Sequence, residues 1–175
     1  KCYNFKIASS KLDQESYTFK DLFKSKECVK QNFYQTHGGR IKFYNHNNKD
    51  GFLLTVGDDI VNQSAKQRPQ DRAQDDTSIV GKIIFINLLN GEHEIFSKGH
   101  RNPQGLFVED DLILSTEHGP NGGDEINKII FGENYGWPVS SYGETYNWGK
   151  TKENKKKLDF KKDHKSLGFK EPIFS

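Results

Sequence analysis

Two stretches of this chain repeat one pattern: a short alternating strand, a polar turn, an apolar strand, and a polar residue at its end. In the first, Gly39 and Arg40 lead into Ile41 and Phe43, which alternate with polar residues. A turn cluster of Asn, Asp and Gly fills 45–51, residues 52–56 form an apolar strand, and Gly57 and Asp58 close the unit. In the second, residues 105–108 precede a Glu109, Asp110, Asp111 turn, and residues 112–116 run into Glu117, His118 and Gly119. Period-two alternation marks a half-buried strand, and paired runs bounded by turn residues mark hairpins. Residues 81–88 predict a β-branched and aromatic strand. Asn90 and Gly91 predict a tight hairpin turn, with 94–97 as the partner strand. Residues 126–130 give another short strand, and 132–138 a turn rich in aromatics. Repeated short hairpins with interposed loops point to an all-β chain, a β-propeller ahead of a sandwich.

The 175 residues suffice for one domain. Hydrophobic residues are 33% and charged residues 29%, so the core is thin for the length, while 13% aromatics argue against disorder. A net charge of +2 gives no support to nucleic-acid binding as a main role. The Lys-rich segment 149–170 is interrupted by Glu153, Asp159 and Asp163, and reads as a solvated surface segment. No apolar run approaches the ~20 residues of a membrane-spanning helix. With no Met in the chain, Lys1 is not expected to be a natural start, and a processed chain or a fragment is expected. Cys2 and Cys28 are the two cysteines and lack metal-ligand spacing. A disulfide between them would favour an oxidising compartment and add ~3 kcal/mol. Two independent thiols are the alternative. Residues 59–78 are polar without apolar period and predict a long loop.

Three segments crowd polar side chains onto turn chemistry, where binding and catalysis concentrate. The first runs Gln35, Thr36, His37, Gly38, Gly39, Arg40. The second is Gly99, His100, Arg101, Asn102, Pro103, Gln104, Gly105, Leu106. The third is Gly119, Pro120, Asn121, Gly122, Gly123, Asp124, Glu125, Ile126, Asn127. Together with Asn134, Tyr135, Gly136, Trp137, Pro138, these ordered motifs resemble the soluble pyrroloquinoline-quinone-dependent glucose and aldose sugar dehydrogenases, the glucose/sorbosone dehydrogenase family. The resemblance covers about residues 35–146 and rests on the combination, since each motif alone is weak. It implies a six-bladed β-propeller of four-stranded blades, of which this chain (1–175) covers roughly half the ring. It also implies oxidation of an aldose at its anomeric carbon to the lactone, with hydride passed to the quinone and Ca2+ seated on the quinone. The implied partners are a small sugar and an external electron acceptor. The implied location is periplasmic or secreted.

On this resemblance His37 is the catalytic base, a role that an imidazole with near-neutral pKa suits. Its bland alternative is a surface-loop histidine. Asp58 matches the carboxylate that orients this base; a Gly-Asp turn residue is the alternative. Arg101 and Asn102 match quinone-contacting residues. A permanent cation there stabilises charge arriving on the quinone, and a salt bridge at the blade rim is the competing role. Gln104, His118 and Asp124 are the further cofactor-side candidates, although Gln104 could simply tie down its loop. Gly119 and Pro120 would offer main-chain carbonyls to calcium, a hard cation that takes oxygen ligands; an ordinary Gly-Pro turn is the alternative. Glu125, with the Tyr135 carbonyl, resembles a second, structural calcium site. Trp137 and the Tyr135 ring read as packing residues rather than stacking platforms.

The chain departs from the pattern in two ways. Only residues 87–98 separate the Gly81, Lys82, Ile83 strand from the Gly99 motif, where relatives often carry an insertion. And six blades need far more than 175 residues, so about three blades from the middle of the ring are expected. Basic residues that hold the quinone carboxylates would then fall beyond Ser175. A homo-oligomer that closes the ring is one way to cover the open edges. Competing functions are an inactive calcium-stabilised propeller fragment, and a non-catalytic propeller that binds a protein or glycan. The presence of both His37 and Arg101 favours the enzyme.

Overall fold

The structure is a computed structural model that describes residues 2–12, 15–30, 37–58, 72–144 and 163–175. Gln35, Thr36, most of the loop expected over 59–78 and the body of the Lys-rich segment lie outside the described residues.

The two similar hairpins become the inner halves of two neighbouring antiparallel sheets. The first sheet has four strands: β5 (Gly38–His46), β6 (Lys49–Val56), β7 (Lys82–Asn87) and β8 (His93–Lys98), hydrogen-bonded in that order. The second holds β9 (Pro103–Glu109), β10 (Leu112–Glu117) and β11 (Glu125–Lys128). An antiparallel bridge from Ile126 to Phe174 gives it the start of a fourth, outer strand. β5 and β9, the first strands of the two sheets, lie side by side, and Arg40 Nε donates to the Gln104 carbonyl across them at 2.7 Å. Two short pairs precede them: β1 (Cys2–Tyr3) with β4 (Val29–Lys30), and β2 (Lys6–Ser9) with β3 (Lys20–Lys24).

The turns are tighter than the composition suggests. The 45–51 cluster is mostly strand, and the reversal is confined to Asn47 and Asn48, whose φ values of 51° and 60° suit the two-residue turn that matches strand twist. Asn90-Gly91 departs the other way. Only Gly91 has positive φ, and the closing bond runs from Asn87 N to the Glu92 carbonyl, so the loop is longer than a two-residue turn.

β7 explains where the core sits. Ile83 and Phe85 point to one face, joining Leu53, Phe96, Leu106, Ile113, Ile129 and Tyr135 between the two sheets. Ile84 and Ile86 point to the other, joining Leu54, Val56, Ile79 and Phe23 of β3, with Phe5 and Ile7 packed alongside. A strand buried on both faces needs a continuous apolar run, and 83–86 supplies one. β2 and β3 thus cover the outer face of the first sheet. They are tethered by Glu27, whose carboxylate accepts from Arg72 Nη1 (3.0 Å), Ser78 Oγ and Ile79 N. Cys28, beside Glu27, is disulfide-bonded, and Cys2 is the other cysteine of the chain.

Among the described residues no helix is long and apolar enough to cross a membrane. The described end of the Lys-rich segment forms a 3-10 turn, Lys165–Leu167, and is largely exposed, except that His164 turns inward and is buried.

Ile84→Ala should cost ~2–5 kcal/mol of unfolding free energy, as a cavity in a two-sided core does. Leu89→Ala, at a side chain 93% exposed, should stay within ~0.5 kcal/mol. Denaturant unfolding of both variants checks the difference.

Candidate active site

The ends of β6, β8 and β10 deliver their polar residues to one place. Gly57 N donates to the His37 carbonyl at 3.0 Å, and Asp58 N donates to the Arg101 carbonyl at 2.7 Å. The loop after β8 is therefore stitched to the end of β6, with the residue after His37's partner next to Arg101. Gly81 lets this happen: its φ is +69°, and a Cβ there would meet Ala73 at 2.4 Å and the His100 carbonyl at 2.9 Å.

Asp58 is buried, and Trp137 Nε1 donates to its Oδ2 at 2.6 Å. Burial pushes its pKa up to about 6, against the pull of the Trp137 bond and of the Arg72, Lys82 and Arg101 charges. Lys82 is itself fully buried at the start of β7, donating to the Arg72 and Val80 carbonyls. Loss of solvation lowers its pKa to about 8. His37 sits exposed at the rim, its ring edge-on to Phe5. The protein around the ring still removes enough water to lower its pKa below 6.5. A histidine of this kind is neutral at pH 7.

Arg101 reaches the opposite way. Its Nη1 donates to the His118 and Gly119 carbonyls at 2.7 and 2.8 Å, and its guanidinium lies 5.4 Å from the centre of the Trp137 ring. Asn102 is buried; its carbonyl accepts from His118 N, and its side-chain Oδ1 has no partner among the described residues. Gln104 is exposed and uses its carbonyl on Arg40. Asp124 Oδ1 accepts from Gly119 N at 3.0 Å while Oδ2 stands 3.5 Å from His118 Nδ1, both side chains more than half exposed.

Behind this rim lies a buried polar layer. The Glu117 carboxylate accepts from Arg101 N (2.9 Å) and Asn127 Nδ2 (2.8 Å) and meets His100 Nδ1 at 3.1 Å; His100 Nε2 is 2.8 Å from Ser97 Oγ. His100 stacks on the Tyr135 ring, 4.7 Å between centroids. The connectivity is that of a Ser-His-acid relay. But Ser97, His100 and Glu117 are all buried, so it serves as a brace for Arg101. None of His100, Glu117, Asn127, Lys82 or His164 is singled out for a role by sequence. The available signal is a charged or imidazole residue inside an otherwise apolar strand end.

A cavity of about 10 Å³ lies against Arg101, Glu117, Gly119, Glu125, Tyr135 and Ser141. That volume suits one water or ion. Glu125 borders it, and its pKa is raised, first by burial and next by the charge of Glu117. His164 Nε2 stands 3.9 Å from Glu125 Oε1, and its ring bonds the Tyr135 backbone. A crowded carboxylate beside a carbonyl and an ion-sized void fits a hard cation. The Gly119 carbonyl is differently placed, because Arg101 already occupies it. Pro120 is buried beside it. Gly119 itself is needed for close approach, since a Cβ there would fall 2.1 Å from the Gly122 carbonyl. Among the described residues no three His, Cys, Asp or Glu side chains converge as a metal cluster, so an ion here depends on carbonyls.

The model of the "Glucose / Sorbosone dehydrogenase" family matches residues 3–167. The chain belongs to the glucose/sorbosone dehydrogenase family. It is 32% identical over 152 residues to the aldose sugar dehydrogenase YliI of Escherichia coli, covering 78% of this chain and 36% of that protein. It is 38% identical over 112 residues to quinoprotein glucose dehydrogenase B of Acinetobacter calcoaceticus, covering 50% of this chain and 23% of that one. The solved structure of soluble aldose sugar dehydrogenase from E. coli, in its apo form, superposes with a TM-score of 0.67 at 27% identity, covering 98% of this chain and 48% of the other. Its likeness to the PQQ-bound aldose sugar dehydrogenase of Streptomyces coelicolor, TM-score 0.61 at 23% identity over 95% of this chain and 43% of that one, speaks to fold alone. The all-β sheets are thus blades of a glucose/sorbosone dehydrogenase propeller. The chain spans just under half the length of these structures and about a third or less of the curated relatives.

Glu125 yields a pH signature for this member of the glucose/sorbosone dehydrogenase family. Its folded pKa lies above the ordinary 4.5, so the folded state holds that proton longer than the unfolded chain. The associated stability is complete below pH 4.5 and is lost as pH rises through the raised value. Thermal unfolding across pH should show this decline, flattened by Glu125→Gln and by millimolar Ca2+. A residual slope between 3.8 and about 6 belongs to Asp58.

Proposed function

We propose that the chain forms the base-and-arginine side of a pyrroloquinoline-quinone-dependent dehydrogenase that oxidises an aldose at its anomeric carbon to the lactone. The observation that carries this is the stitching of β6 to the Gly99 motif, which brings the His37–Asp58 end and Arg101 together in a chain of this family. When bound, the quinone supplies the two-electron acceptor for the hydride that leaves C1.

His37 takes the proton of the anomeric hydroxyl as the C1–H bond breaks with its electron pair and the carbonyl of the lactone forms. A lowered pKa keeps the imidazole neutral and ready to accept at pH 7. Asp58, largely ionised above pH 6, is the candidate for the negative charge that stabilises the imidazolium that results. Arg101 presents a permanent cation toward the cofactor side, its backbone held by Glu117 and its guanidinium by two carbonyls. Asn102, with a buried amide oxygen that lacks a partner among the described residues, offers an acceptor to a donor group of the ligand. Gln104, His118 and Asp124 border the same rim. Calcium is assigned to Glu125 with the Tyr135 carbonyl. A second calcium on Gly119 and Pro120 requires Arg101 to release the Gly119 carbonyl.

An external electron acceptor would complete the cycle. The periplasmic or secreted location is supported by the disulfide at Cys28, a bond that persists in oxidising compartments.

The protein supplied with Ca2+ and quinone should reduce a dye in the presence of an aldose. His37→Ala should lower kcat by ~100-fold or more, and the acid limb of the wild-type profile should lie below pH 6.5. Calcium-dependent stabilisation with no quinone binding in an absorbance titration would instead establish the inactive scaffold.

A further inference from the structure

Trp137 occupies a position that packing alone does not require. It is buried, and its two chemical ends face opposite charges. The indole N–H donates to the Asp58 carboxylate at 2.6 Å, and the ring face carries the Arg101 guanidinium at 5.4 Å. Asp58 and Arg101 are also joined directly, through the 2.7 Å bond from Asp58 N to the Arg101 carbonyl. The three residues therefore close a ring of contacts: carboxylate to indole, indole to guanidinium, and backbone to backbone.

The tryptophan is clamped from outside that ring. Trp137 N donates to the Gly99 carbonyl at 3.0 Å, and the Trp137 carbonyl accepts from Gln74 Nε2 at 2.6 Å. Gln74 and Asn134 exchange two side-chain bonds, and Asn134 Oδ1 accepts from Gly136 N. The indole thus has little freedom to follow either partner. A bond of 2.6 Å from a neutral N–H is at the short end for such contacts, as expected when the acceptor is ionised. A phenylalanine is smaller than the indole but keeps an aromatic ring in this place, and it would leave Asp58 without this donor.

We propose that Trp137 is a positioning residue: its indole fixes the Asp58 carboxylate and the Arg101 guanidinium at a set separation, coupling the proton-handling and cation arms of the site. This rests on the dehydrogenase reading for its functional meaning, but the bridge itself is measurable without turnover. The groups that bear on Asp58 from the neighbouring elements are Arg72, Lys82 and Arg101. All three are cations that favour its charged form; Lys82 begins to lose its charge toward pH 8, so the loss of the indole donor is read below that pH, where the positive background is constant.

The test uses the ligand-free protein first. The chain has two tryptophans, Trp137 and Trp148, so a Trp148→Phe background leaves one indole N–H resonance. That resonance should move with pH with a midpoint near 6, and Asp58→Asn should abolish the movement. In Trp137→Phe, the Asp58 carboxyl carbon followed by NMR should titrate about one pH unit higher, a tenfold gain in proton affinity from the lost donor. A pH-independent indole resonance, or an Asp58 titration unchanged in Trp137→Phe, overturns the proposal. If the indole titrates but no aldose is oxidised by the wild type, the bridge stands and the dehydrogenase reading falls.

Discussion

The two-sided burial of β7 is the constraint on which the rest depends. Its four central side chains divide between two cores, one shared with the next sheet and one shared with the amino-terminal strands. A one-residue slip would send every one of them into the other core, where the packing does not match its shape. That fixed register places Gly81 and Lys82 at the mouth of the site, and Gly81 N and O then bond to the Gly57 and His100 backbones on either side. The loop bearing Arg101 inherits its position from an apolar strand that touches no ligand.

Around that anchor the site is built in two layers with different electrostatics. The rim, with His37, His118 and Asp124, is open to water, where charges are screened and cheap to rearrange. The inner layer holds Asp58, Lys82 and Glu117, which are buried, and Glu125, which is largely covered, each with hydrogen-bond partners. Buried carboxylates persist where donors and cations compensate lost solvation. Asp58 and Glu117 meet that condition more fully than Glu125, which faces the like charge of Glu117 and borders a void of ionic size. The imbalance leaves Glu125 the least compensated of these carboxylates.

Much of this was legible in the sequence, and the gaps have physical causes. Alternation and turn chemistry located β5, β6, β7, β8, β9 and β10, because a strand's periodicity is a local property. The reversal at Asn47 and Asn48 was set too broadly at 45–51, since Asn, Asp and Gly tolerate strand ends as well as turns. Residues 1–36 carried no clean period, and the short pairs they form gain their order from Glu27 and the core under β7. His164 shows the same limit: a Lys-rich stretch announces solvent, but one imidazole in it stacks on Tyr142 and turns toward Glu125.

The sequence by itself determined the strands, the polar loops at their ends and, through its ordered motifs, the family. It also supplied His37, Asp58 and Arg101 as residues worth placing. Only the tertiary structure decided which polar groups meet. Trp137, read from sequence as packing, bonds Asp58 from 79 positions away, and Arg101 lies on the very carbonyl that the motif assigned to calcium. Such pairings depend on the distance and angle between neighbouring sheets. Side-chain volumes in the shared core set those quantities, and no local pattern encodes them.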